Sequence, residues 1–151
     1  MTKNELVELV EFVYALWNQQ PPATGQKVMY DAWWQMMQDL PADTAKQAAM
    51  NLSSLDAFMP RPGTLRRHTL NLTGVAQPPT PIEAWNQARR LAESLVNGTF
   101  QPADLHPAVQ QTLNKTGTQL STNGDREQFI HTYKTTLEQW ELDTYTPKGT
   151  S

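Results

Sequence analysis

Prolines set the first limit on what this chain can fold into. They cluster at Pro21-Pro22, at Pro60 and Pro62, and at Pro78, Pro79 and Pro81. Proline lacks an N–H and its ring clashes with the preceding turn, so neither a helix nor a central strand runs through such places. The stretches between them are short, and most carry an apolar stripe at three- and four-residue steps, the period of an amphipathic helix. No alternating run of β-branched residues reads as a strand. The expected fold is all-α. A small bundle of about four helices covers residues 1–72, a Pro-rich linker 73–81, a second helical segment 82–143, and a disordered tail 144–151.

Thr2 followed by Glu5 has the spacing of a capping box, so the first helix opens there. Leu6, Leu9, Val10, Val13, Tyr14 and Trp17 form its stripe, and Pro21 marks its end. A second helix follows the turn at Thr24–Gly25 and is expected to reach about Leu40. Met29, Trp33, Met36 and Leu40 would face inward, with Tyr30, Trp34 and Met37 on a neighbouring face. A helix this apolar in girth is the central one of a small bundle. Trp33 and Met36 read as core. Trp34 and Met37 fit either the core or an adaptable partner-binding surface. The third helix, opened by Pro41 and Asp43 and ending near Leu55, has a small-residue face of Ala45, Ala48 and Ala49 with Leu52. Phe58 and Met59 are expected to plug the bundle's edge. Thr64 is the expected N-cap of a short basic helix, Leu65–Leu72, with Leu65, Leu70 and Leu72 docking.

Beyond the linker, Thr80 and Pro81 start a helix whose stripe is Ile82, Trp85, Ala88, Arg89, Ala92 and Leu95, stopped at Asn97–Gly98. A loop from Thr99 leads to His106, read as the cap of a helix carrying Ala108, Val109, Thr112 and Leu113 up to Gly117. Asp125 is expected to cap the last helix, with Phe129, Ile130, Tyr133, Leu137 and Trp140 on its apolar face.

The chemistry in the sequence is that of binding. The 151 residues include no cysteine, which excludes disulfides and thiolate metal sites. His68, His106 and His131 fall in separate elements, with no metal-ligand spacing between them. There is no Gly-rich phosphate loop, dinucleotide fingerprint or nucleophile elbow, and the acidic residues never cluster as a hard-metal site requires. The expectation is no enzyme, no cofactor and no metal. A net charge of −3 argues against a dedicated non-specific nucleic-acid binder. No apolar run is long enough to cross a bilayer and no signal peptide is evident, so a cytoplasmic protein without membrane contact is expected.

The densest basic patch is Arg61, Arg66, Arg67 and His68, set on the rigid turn of Pro60 and Pro62. Guanidinium groups suit phosphates or an acidic protein surface. These four residues, with Trp34 and Met37 as apolar anchors, are the candidate partner-binding set. The competing reading is a turn that only stops one helix and starts another. Arg89-Arg90 reads as a solvated helix face.

The order of these segments resembles the N-terminal helical domain of phage replicative-helicase loader and inhibitor proteins. The resemblance rests on YDAWWQMMQDL, DTAKQAAMNL and FMPRPGTLRRHTLNL, with the family's features falling on Trp33, Ala45–Ala49 and Phe58–Leu65. PIEAWNQARR, HPAVQQTL and REQFIHTY resemble a segment that follows this domain in phage and prophage replication proteins, so the likeness covers about residues 3–140. Two departures stand out. An Arg lies between the two prolines, and a second helical segment replaces the family's long flexible C-terminal region. The resemblance implies a non-enzymatic adaptor that binds the hexameric replicative DNA helicase, loads or inhibits it, and meets an origin-binding replication protein. The alternative is a small DNA-binding regulator that uses the Arg61/Arg66/Arg67 corner; even the adaptor could make a weak DNA contact there. On the adaptor reading, reversing the charges of Arg66 and Arg67 should abolish partner binding and leave thermal unfolding unchanged.

Overall fold

The computed structural model describes residues 1–97, 105–118 and 120–148. Among them the secondary structure is helical, without strands. Seven helices occur among the described residues, four of them within residues 1–72: α1 (Lys3–Leu16), α2 (Gln26–Met37), α3 (Ala42–Leu55), α4 (Pro62–Leu72), α5 (Pro81–Asn97), α6 (Pro107–Thr116) and α7 (Asn123–Tyr145). They form two compact units, residues 1–75 with 144–151, and residues 76–143.

In the first unit α1 opens on the expected reciprocal cap. Thr2 Oγ1 accepts from the Glu5 N–H at 3.1 Å, and Glu5 Oε1 accepts from the Thr2 N–H at 2.8 Å. Gly25, at φ +73°, turns the chain into α2 through the left-handed region that a β-carbon disfavours. Helix α1 packs on α2 and α3, and α4 packs on the same two, which closes a ring of four helices. The core is Leu6, Leu9, Val10 and Val13 from α1, Trp33 and Met37 from α2, Leu40, the three alanines of α3, and Leu65 from α4. Ala45, Ala48 and Ala49 are fully buried because side chains this small let α3 approach its neighbours closely.

Several expectations change here. Met37, not Met36, is core. Trp33 and Met37 lie four residues apart on one helical face, and Met36 is rotated about 100° from Met37 to a half-buried rim position. Helix α2 stops at Met37, yet Leu40 still reaches the core. Phe58 plugs nothing; it is 81% exposed, while Met59 is half-buried. Helix α4 begins at Pro62, whose missing N–H costs nothing in the first turn, and Arg61 is the N-cap residue in place of Thr64. Leu70 is half-buried and Leu72 exposed, so Leu65 alone of the three leucines docks fully.

In the second unit Thr80 and Glu83 form another reciprocal cap at the start of α5. The core joins Ala84, Trp85, Ala88 and Leu91 to Ala108, Val109 and Leu113 of α6 and to Phe129 and Tyr133 of α7. Ile82 is exposed instead of buried. Trp85 and Phe129 meet with ring centroids 5.6 Å apart. Asp125 sits inside the first turn of α7, where its Oδ2 accepts from the Thr122 N–H at 3.0 Å and Thr122 Oγ1 accepts from the Asp125 N–H. The cap is therefore Thr122.

The proline stretch is held on this unit and is not a bare spacer. Tyr133 donates its hydroxyl proton to the Pro79 carbonyl at 2.5 Å, and burial pushes that phenol up to about 12. His106 Nε2 lies 3.2 Å from the Ala76 carbonyl, while its Nδ1 accepts from the Ala108 N–H at 3.1 Å. One ring thus caps α6, as expected, and also ties the linker. The side chain of Leu95, the stop at Gly98, the loop from Thr99 and the last three residues of the tail lie outside the described residues. The tail's first residues are not disordered: α7 runs through Tyr145, which is 7% exposed.

Two outcomes follow from this packing. Met37→Ala is expected to destabilise the first unit by about 2–5 kcal/mol, the cost of a cavity at a fully buried methionine, measured by urea unfolding. Burial pulls the His106 pKa below the ordinary 6.5, against a smaller opposing effect of the Ala76 carbonyl. The neutral ring is the folded form, so its contribution is complete above 6.5 and is lost as pH falls from there through the lowered folded pKa. Protonation places a hydrogen on Nδ1 and breaks the cap on Ala108. The second unit should unfold at lower urea at pH 5 than at pH 7.5, and His106→Asn should flatten that difference.

Candidate interaction surface

The four basic residues of the corner part company once folded. Leu65, Arg66 and Thr69 form the buried side of α4, and Arg66 is only 4% exposed. Its Nη1 donates to Asp39 Oδ1 at 2.6 Å and its Nη2 to Asp39 Oδ2 at 2.9 Å, a bidentate fork. Nη1 also donates to the Met36 carbonyl at 2.9 Å, and Nε donates to the Tyr145 carbonyl. The guanidinium joins the end of α2, α4 and the end of α7 within the first unit. It is a structural clamp and not a rim contact.

Asp39 is the outer half of this pair, with its side chain 51% exposed. The Arg66 hydrogen bonds hold its carboxyl below the usual carboxylate range, with a further pull from the Arg66 charge and partial burial opposing both. Because the folded value is depressed, the pair's contribution is present above the unfolded carboxylate pKa and fades as pH falls through the folded one.

Arg67 points outward, and its guanidinium carbon lies 4.7 Å from the centroid of the Tyr145 ring. His68 is half-buried and Arg61 exposed. Trp34 is half-buried under Lys3, whose Nζ stands 5.9 Å from the ring centroid. Met37 is in the core and cannot anchor a partner without unfolding. Of the six candidate residues, Arg66 and Met37 are thus removed from the surface by packing. Arg61, Arg67, His68 and Trp34 keep some exposure. Arg89 and Arg90 lie exposed on α5.

The feature that sequence reasoning missed is apolar. Leu55, the expected helix end, and Phe58, expected to plug the bundle's edge, are 80% and 81% exposed. The backbone between them is fixed: the Trp17 indole N–H donates to the Asp56 carbonyl at 3.1 Å, and Asp56 Oδ1 accepts from the Phe58 N–H at 3.1 Å. Pro60 is buried just beyond, and Arg61 emerges next. A leucine, a phenylalanine and an arginine are thus displayed within seven residues of anchored chain. The available signal was that Leu55 ends its helix and Phe58 follows a break, outside any apolar period.

No helix among the described residues is long and apolar enough to cross a membrane. No group of three or more metal-ligating side chains forms among them either. Comparison with the profiles of known protein families, with curated proteins and with solved structures finds no match.

Replacing Arg66 by Ala is expected to cost about 2–4 kcal/mol, below the full value for breaking a buried pair because Asp39 is half in water. The Arg66→Glu, Arg67→Glu double variant should lower the melting temperature sharply, since it sets a carboxylate against Asp39. Arg67→Glu alone should shift it far less.

Proposed function

We propose that this chain is a non-enzymatic adaptor that binds a protein partner through the corner between α3 and α4. The observation that carries this reading is the pair Leu55 and Phe58, large apolar side chains left four-fifths exposed with the backbone between them hydrogen-bonded at Asp56. Folding gains nothing from displaying them. Association does, because burying such side chains removes apolar area from water at about 25 cal/mol per Å². Arg61 beside them supplies the residue type that dominates many interfaces.

The partner follows from the order of segments, which resembles the helicase-loader and inhibitor proteins of phages. The proposed partner is the hexameric replicative DNA helicase, with an origin-bound replication protein as a second contact, and the work is done in the cytoplasm. Such a role uses no catalytic residue, metal or cofactor of the adaptor's own. Less supports a DNA-binding regulator. Helix α4 spends Arg66 on Asp39 and lays Arg67 against Tyr145, which leaves little of a recognition helix.

The test is retention of purified helicase hexamer on the immobilised chain at low and moderate salt. Unaltered protein should hold the hexamer at both, whereas phosphate-driven binding to duplex DNA would weaken steeply with salt. Leu55→Ser with Phe58→Ser should lose at least about tenfold in affinity, as interface anchors do, with an unchanged melting temperature. Retention undiminished in the double variant would move the interface elsewhere.

A further inference from the structure

Three residues of α4 converge on a single residue, Tyr145, that does not belong to the four-helix ring. Arg66 Nε donates to the carbonyl of Tyr145, the Arg67 guanidinium lies against its ring at 4.7 Å, and its hydroxyl donates to Asn71 Oδ1 at 2.9 Å. Each contact reads a different feature. The carbonyl belongs to the last turn of α7, where unsatisfied carbonyls carry the negative end of the helix dipole. The ring face attracts a cation. The phenol needs an acceptor. Together they specify a helix C-terminus that ends in a tyrosine.

The seat is also small. Of residues 144–148, Tyr145 alone is buried; Thr144 and Pro147 are half-buried and Thr146 and Lys148 exposed. The segment contributes one anchor residue to the first unit, while the preceding part of α7 belongs to the second. Arg66 keeps Asp39 and the Met36 carbonyl whether or not Tyr145 is present, so the guanidinium is not orphaned when the seat empties.

We infer that the Arg66–Arg67–Asn71 face of α4 is an interaction surface for a helix C-terminus bearing a terminal tyrosine, filled in cis by Tyr145 and open to a partner's helix end of the same chemistry. The cis occupant sets the threshold: a partner binds only as well as it displaces Tyr145. This goes beyond the adaptor reading and stands without it, because the chain's own segment serves as the probe.

The experiment uses full-length, nitrogen-labelled protein and a synthetic peptide of residues 138–148. In Tyr145→Ala the peptide should produce saturable shifts at the Asn71 side-chain amide and the Arg66 Nε–H. In the unaltered chain the same shifts should need at least about tenfold more peptide, since only the fraction with an empty seat is competent. A peptide with alanine at the tyrosine position should give none. Absence of saturable shifts in folded Tyr145→Ala, or equal binding by both chains, overturns the inference. Native-state hydrogen exchange on the unaltered chain decides independently of whether the variant folds. The Tyr145 amide should exchange faster than the amides of Leu65 and Val10. Exchange of Tyr145 only at the rate of those core amides would mean that the seat never empties, and would overturn the inference equally.

Discussion

The first unit depends on one buried cation. Arg66 projects from the middle of α4 to where the end of α2 and the last turn of α7 meet, and it donates hydrogen bonds to both. A guanidinium can do this because its donors are rigid, planar and directed in several directions at once. Lysine would supply the charge without the fork. The desolvation that burial imposes is offset by the bidentate carboxylate and by two backbone carbonyls that accept from the guanidinium. Asp39 stays half in water, which keeps the pair from the full penalty of a dry interior.

This clamp separates the basic corner into two jobs. The arginine that the rest of α4 is built around is spent on Asp39, the Met36 carbonyl and the Tyr145 carbonyl, and its neighbour one residue on faces out. What remains for recognition is less electrostatic than the linear sequence suggests. Leu55, Phe58 and Arg61 are presented by a turn that two prolines, an indole N–H and an aspartate cap hold in place. A pre-ordered surface loses little conformational entropy on binding. That fits an adaptor better than a flexible arm. The second unit shows the same economy of means in His106, which caps α6, ties the linker at Ala76 and meets the edge of Trp140 at 4.3 Å between centroids.

The sequence made the helices legible where local chemistry decides them. The Thr2–Glu5 cap, the α1 stripe, the alanine face of α3, the Thr80 cap and the four buried residues of α6 follow from short-range spacing. What was illegible depended on contacts distant in the chain. Periodicity alone could not choose between Met36 and Met37, because the choice rests on where α1 and α4 lie around α2. Arg66 reads as a surface residue until Asp39, 27 positions earlier, is seen beside it. Its one local clue was phase, since it precedes buried Thr69 by three positions. Tyr145 lay in a tail of turn-forming residues, and only α4 explains its burial. Phe58 was misplaced for the opposite reason: aromatic residues are usually buried, and nothing nearby in sequence announces an exposed one.

The central proposal is that the α3–α4 corner binds the replicative helicase. Hydrogen–deuterium exchange of the chain, alone and saturated with helicase hexamer, tests it most directly. The account predicts slowed exchange confined chiefly to residues 54–61, with the core amides of α1 unchanged. Protection that falls elsewhere and spares this corner, or no protection at all under saturating helicase, would contradict it.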